Sequence, residues 1–150
     1  MIPFKLIMLG MPLEDSMGLD VSEQTIYRNQ YGIDALIDLS VKLAGKQIPC
    51  MLVSAEWNYT NLHRRVAKQF PLDTKLPANY VLSAFNGVRI TPSECIGLLN
   101  HRRQMMTDLP RVVLVDWLDL SDMLDYRTLD IYGKRNNVSV ICVKQLPYAY

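Results

Sequence analysis

Long apolar runs are missing from this chain: no segment approaches the roughly 18 consecutive apolar residues that a membrane-spanning helix requires, so no membrane is expected among its partners. The start, Met1-Ile-Pro-Phe-Lys-Leu-Ile-Met-Leu-Gly10, has one lysine, a short apolar run and then Glu14 and Asp15, without a small-residue cleavage site. It is expected to be a first strand rather than a signal peptide. Charge of one sign is missing too. Sixteen Lys and Arg against fifteen Asp and Glu leave a net charge of +1, which by itself implies neither nucleic acid nor an anionic surface as partner. Cysteine is scarce: Cys50, Cys95 and Cys142 are odd in number and far apart. They offer no paired ligands for zinc and point to a reducing, cytoplasmic setting. Glycine and proline are spread as turn punctuation, with no linker, repeat or low-complexity tract.

What is present suits one globular domain over residues 1–150. The chain is 49% hydrophobic and 21% charged, and a length of this order can bury a single core without splitting. Strands and helices alternate. A strand is predicted at about Phe4 to Leu9, and residues 10–30 read as an irregular connection. Ile33, Leu36, Ile37 and Val41 recur at helical spacing, with Gly45 where a C-terminal cap belongs. A second helical stripe, Leu62, Val66 and Phe70, begins near Asn58 and stops at Pro71. A short strand at Tyr80 to Ala84 precedes Thr91-Pro92-Ser93-Glu94, which combines an N-cap, a first-turn proline and a Glu three residues after the cap. A less regular helix is predicted over 122–136. The alternation predicts an α/β fold, a three-layer αβα domain with a mostly parallel sheet of about five strands.

Three predicted strands end on polar groups. Arg111-Val-Val-Leu-Val-Asp116 ends on Asp116, the strand from Ile48 ends on Glu56, and Val138-Ser-Val-Ile-Cys-Val-Lys-Gln145 ends on Gln145. In open parallel α/β sheets, ligands bind beyond the carboxyl ends of the strands, so these residues are expected to converge there. His63-Arg64-Arg65 and His101-Arg102-Arg103 form two compact basic clusters on predicted helices, more simply solvated faces but able to meet phosphates or an acidic partner if they share a surface. A Ser-His-Asp set has no nucleophile-elbow motif around it.

With those residues in place, the chain from about Gly32 to Tyr148 resembles the RecA-like ATPase domain of DnaB-type replicative helicases. Val53-Ser-Ala-Glu-Trp57 is similar to the family's Phe-Ser-Leu-Glu-Met, and Ile90-Thr-Pro-Ser-Glu94 to its Leu-Thr-Pro-Thr-Glu. Val113-Leu-Val-Asp-Trp-Leu-Asp-Leu120 is similar to the Walker B segment Ile-Asp-Tyr-Leu-Gln-Leu, and Asn137 to Leu146 to the strand closing with Ser-Gln-Leu-Asn-Arg. The resemblance implies that Asp116 orients Mg²⁺ through water, Glu56 polarises an attacking water and Gln145 senses the γ-phosphate, with ATP and Mg as possible cofactors. It also implies assembly with copies of itself or with a replicative helicase.

The family's phosphate loop is a glycine-rich turn with a lysine that reaches the β- and γ-phosphates. The nearest candidate here is Gly10-Met-Pro-Leu-Glu-Asp-Ser16-Met-Gly18-Leu19-Asp20, with Leu19 in place of Lys. Counting back from Glu56 instead puts Tyr31-Gly32-Ile33 at the Gly-Lys-Thr position, again without Lys; Lys5 and Lys46 are the lysines considered as substitutes. The parts that in the family carry the arginine finger and second DNA-binding loop fall beyond Gln145, and the loop after Asp116 is acidic. The expected function is therefore a non-catalytic, pseudo-ATPase domain acting as a binding or assembly partner in replication or recombination, of the kind a phage or plasmid accessory protein supplies, with no cofactor of its own. The alternatives are a Mg-dependent ATPase or metal-dependent hydrolase or nuclease using Asp116, Glu56 and Asp119, and a small nucleic-acid-binding module built on the two His-Arg-Arg clusters.

Overall fold

Cys50-Met-Leu-Val-Ser54 and Val112-Val-Leu-Val115 are buried at every position, and a strand that is apolar on both faces must be covered on both. In the computed structural model, which describes residues 3–13, 25–27, 32–70, 76–88, 90–105, 110–116 and 123–145, these segments are the interior strands β3 and β5 of a six-stranded sheet. The others are β1 (Pro3–Gly10), β2 (Thr25–Tyr27), β4 (Tyr80–Ala84) and β6 (Ser139–Gln145), and the order is β2-β1-β6-β5-β3-β4. Four helices complete the alternation: α1 (Gly32–Gly45), α2 (Tyr59–Ala67), α3 (Pro92–Met105) and α4 (Met123–Asn136).

The sheet is mixed, which corrects the expectation of a mostly parallel one. β4, β3, β5 and β6 run parallel, but β1 is antiparallel to both β6 and β2. Each parallel step needs a crossover helix, whereas an antiparallel neighbour does not. The three-residue β2 lies inside the stretch expected to be irregular, and it is too short to show an alternation in sequence.

Pleating divides the core into two sheets of side chains. Leu52, Leu114 and Ile141 pack beneath Leu36 and Leu43 of α1 and Leu62 and Val66 of α2. Met51, Val113 and Val140 pack beneath Cys95 and Leu99 of α3 and Leu129 of α4. Helices thus cover both faces, and each large side chain buried this way contributes about 1.5–3 kcal/mol. All three thiols are buried and pushed up to about 12 by desolvation, so they behave as small apolar groups.

Helix ends follow local chemistry. The Asn58 side chain accepts from the Asn61 amide at 2.9 Å to start α2, and Thr91 and Glu94 form the reciprocal cap of α3, with Glu94 N donating to Thr91 Oγ1 at 3.2 Å. At the end of α1 the left-handed residue is Gln47 (φ 59°), not Gly45; Gln47 N and Ile48 N donate back to Ala44 and Leu43. No described helix is long and apolar enough to cross a membrane.

Candidate carboxylate site at the sheet edge

Val115 of β5 is level with Val53 of β3, so Asp116 emerges beside Ser54 at the carboxyl edge of the parallel strands. Its backbone N–H donates to Val53 O at 3.1 Å. Both carboxylate oxygens are engaged: Ser54 Oγ donates to Oδ2 at 2.6 Å, and the Ala55 N–H donates to Oδ1 at 2.7 Å. Ser54, fully buried, also accepts from the Trp57 N–H at 3.1 Å. Hydrogen bonds of this charge-assisted type are the strong ones and fix orientation.

The segment that holds Asp116 is itself clamped by the turn after β4. Phe85, Asn86 and Gly87 donate backbone N–H groups to the carbonyls of Ser54, Trp57 and Ala55, the last at 2.6 Å. Asn86 (φ 54°) and Gly87 (φ 95°) take the left-handed conformations this tight return requires. Glu56, between these anchors, is exposed. Partial desolvation at the edge, and then the Asp116 carboxylate, hold its carboxyl above the usual range. Two carboxylates thus meet at one strand edge, one fixed and one free to titrate.

The third strand end reaches the same edge. Cys142 of β6 is level with Val115, so Gln145 stands two positions beyond the level of Asp116, as Glu56 does on the other side.

The proposed cofactor residues are placed differently. Because β1 is antiparallel, Gly10 is level with Ser139, at the amino end of β6, and through it with Val112. That is four strand positions from Asp116, about 13 Å along the strand direction. The Gly10 N–H donates to Asp130 Oδ1 at 2.8 Å, and the Met11 N–H to Val138 O at 2.9 Å. The Gly10 N–H is also the main reason the Asp130 carboxyl lies below its usual range. The candidate loop therefore leaves β1 at the edge opposite Glu56 and Asp116, with its first amides already used. Ser16 and Gly18 lie outside the described residues, as do Asp119 and Leu19.

The alternative position, Gly32, opens α1. Asp34 in that first turn pairs with Arg65 of α2, whose guanidinium lies 5.2 Å over the Trp57 ring. Lys46 follows the other end of α1, and Lys5 stands in β1 opposite Lys144, one position before Gln145. No group of three or more His, Cys, Asp or Glu among the described residues is placed to hold a metal ion.

The two basic clusters do not share a surface. His63, Arg64 and Arg65 belong to α2, which covers the Leu52 face, whereas His101 and Arg102 belong to α3, which covers the Met51 face. His101 is exposed and Arg102 half-buried, and the side chain of Arg103 lies outside the described set. On α2 the structure adds residues that the motif reading passed over. Tyr59 meets His63 in a tilted ring contact with centroids 5.8 Å apart, and Lys68 joins Arg64 in lining open hollows on both sides of the helix. The helical four-residue spacing of Tyr59 with His63 and of Arg64 with Lys68 was the available signal.

Comparison with protein-family models, with curated proteins and with solved structures found no match.

Proposed function

We propose that this chain is a non-catalytic RecA-like domain that acts by binding a partner, either copies of itself or an oligomeric replication or recombination ATPase. The observation that carries the reading is the position of Gly10. Phosphoryl-transfer enzymes of this class act by positioning and charge stabilisation, and both depend on a backbone cradle and its lysine. Here Gly10, which closes β1, is committed to Asp130 at the far edge, and the alternative lysine position is held by Gly32 at the start of α1, with Asp34 in the same first turn. The Asp116 oxygens, for their part, are used to hold the β3–α2 connection together, a structural task that gives the strand-end carboxylate a role without nucleotide.

Calorimetric titration with ATP and Mg²⁺ tests this directly. The expected result is no saturable heat at millimolar nucleotide and no hydrolysis, together with a mass above that of one chain when light scattering is recorded alone or with a RecA-type ATPase. Nucleotide turnover that disappears in Asp116→Asn would overturn it. One observation favours a second reading, a Mg-dependent hydrolase: Glu56 shares the strand edge with Asp116, and partial desolvation, then the Asp116 charge, raise its carboxyl above the ordinary value. That reading requires divalent-metal-dependent turnover lost in both Glu56→Gln and Asp116→Asn.

A further inference from the structure

We propose that the outer face of α2 is a contact for single-stranded nucleic acid, in which Arg64 and Lys68 take backbone phosphates while Tyr59, braced by His63, stacks on a base. This goes beyond the partner-binding reading and stands apart from the Asp116 edge.

The face is organised in two neighbouring rows. Residues four apart on a helix stand about 5–6 Å from one another. One such row is Tyr59 and His63, in ring contact at 5.8 Å; the adjacent row is Thr60, Arg64 and Lys68. Aromatic and cationic groups therefore run side by side along the same two turns. Tyr59 is 52% exposed, so the row is accessible from solvent.

The charges on this face are available. From Tyr59 to Gln69 the sequence contains no acidic residue. Asp34 neutralises Arg65, and Arg65 is further occupied by Trp57. Arg64 and Lys68 are exposed and have no ion-pair partner among the described residues. Open hollows of about 440 Å³ and about 500 Å³ flank the helix, and Arg64 and Lys68 line both; Asp34 and Asp38 also line the first, whereas the second, with Thr60, His63 and Ala67, has no acidic lining residue. A strand laid along α2 would follow the second hollow, on the Thr60 and His63 side of the cationic row and away from the two carboxylates.

The pairing of rows selects the ligand. Single-strand binders combine a cationic track with aromatic platforms for unstacked bases. An acidic peptide would satisfy Arg64 and Lys68 but would leave the Tyr59–His63 pair unused, and a duplex offers no free base face. The opposite cluster, His101 and Arg102, lies on α3 beyond the sheet and is not part of this face.

Fluorescence anisotropy of a labelled oligothymidylate, titrated with the full chain at several salt concentrations, tests the proposal. Each single-strand phosphate contact contributes about 0.7 to the slope of log affinity against log salt. Arg64→Gln with Lys68→Gln should therefore lower the slope by about 1.4 and weaken low-salt binding roughly ten-fold. Tyr59→Ala should weaken binding roughly five-fold or more with the slope unchanged, and Tyr59→Phe should restore it. His101→Asn, on the other face, should change nothing, and because all these side chains but His63 are exposed, thermal melts should match the parent. Absence of binding at low salt overturns the proposal, as does binding indifferent to the Arg64, Lys68 and Tyr59 changes. Binding of polyglutamate that depends on Arg64 and Lys68, with no binding of the oligonucleotide, would identify an acidic protein partner and equally overturn it.

Discussion

Substitution of Gly133 by alanine is expected to reverse the ordinary rule for helices. Inside an exposed helix, glycine costs about 1 kcal/mol relative to alanine, so removing it should stabilise. At Gly133 a Cβ would lie 2.6 Å from the Val138 carbonyl oxygen and 2.7 Å from Gly10 Cα. Both are backbone atoms and cannot rotate away. The Val138 oxygen already accepts from Met11, and Val138 N donates to Gly133 O at 2.8 Å, so relief requires moving β1 off α4 and stretching the Gly10–Asp130 bond. Overpacking costs typically 1–3 kcal/mol, occasionally more, and a clash between two backbones falls toward the upper end. After the propensity gain is subtracted, a net loss of about 1–2 kcal/mol is expected, and at about 2–4 °C per kcal/mol the melting temperature should fall by several degrees. Gly97 in α3 is the control, since a Cβ there meets nothing within 4 Å; Gly97→Ala should raise the melting temperature. Scanning calorimetry on the two variants side by side decides the matter. If Gly133→Ala stabilised as much as Gly97→Ala, β1 would not cross α4 at Gly10. The placement of Gly10 away from Asp116 would then be wrong, and with it the argument against a phosphate loop.

Ser54→Ala removes the donor to Asp116 and the acceptor for the Trp57 N–H; a loss of about 1.5–3 kcal/mol is expected in urea unfolding, and an unchanged midpoint would mean that water replaces the hydroxyl at no cost. For Glu56, the folded state raises the carboxyl above its unfolded value, so the native state holds the proton more tightly. Its contribution to stability is greatest in acid and is lost as pH rises through the raised value. Glu56→Gln should therefore flatten the decline of stability above the ordinary carboxylate range, and an identical pH profile would refute the raised Glu56 carboxyl. Asp130 has the opposite sign: the Gly10 N–H and Lys134 lower its carboxyl. Its stabilisation is present above the unfolded value and is lost in acid, so Asp130→Asn should be less stable at neutral pH and show a shallower acid limb.

Sequence alone determined the elements whose signal is local. Val112–Val115 and Cys50–Ser54 are apolar on both faces and could only be interior strands, and the Thr91–Glu94 spacing is a hydrogen-bonding unit complete within one turn. The placing of Glu56 and Asp116 at one edge was legible as well, since parallel strands joined by helices bring their carboxyl ends to one edge. The direction of β1 was not legible. Its apolar run reads the same parallel or antiparallel, and only pairing with β6 and the crossing of Gly10 over Gly133, 123 positions apart in sequence, settle it. That choice sends the glycine loop to one edge of the sheet and leaves the carboxylates at the other. Tertiary structure also decided the basic clusters: two identical His-Arg-Arg tripeptides came to lie on opposite faces, because which layer a helix joins depends on how its crossover turns over the sheet, not on the residues it exposes to solvent.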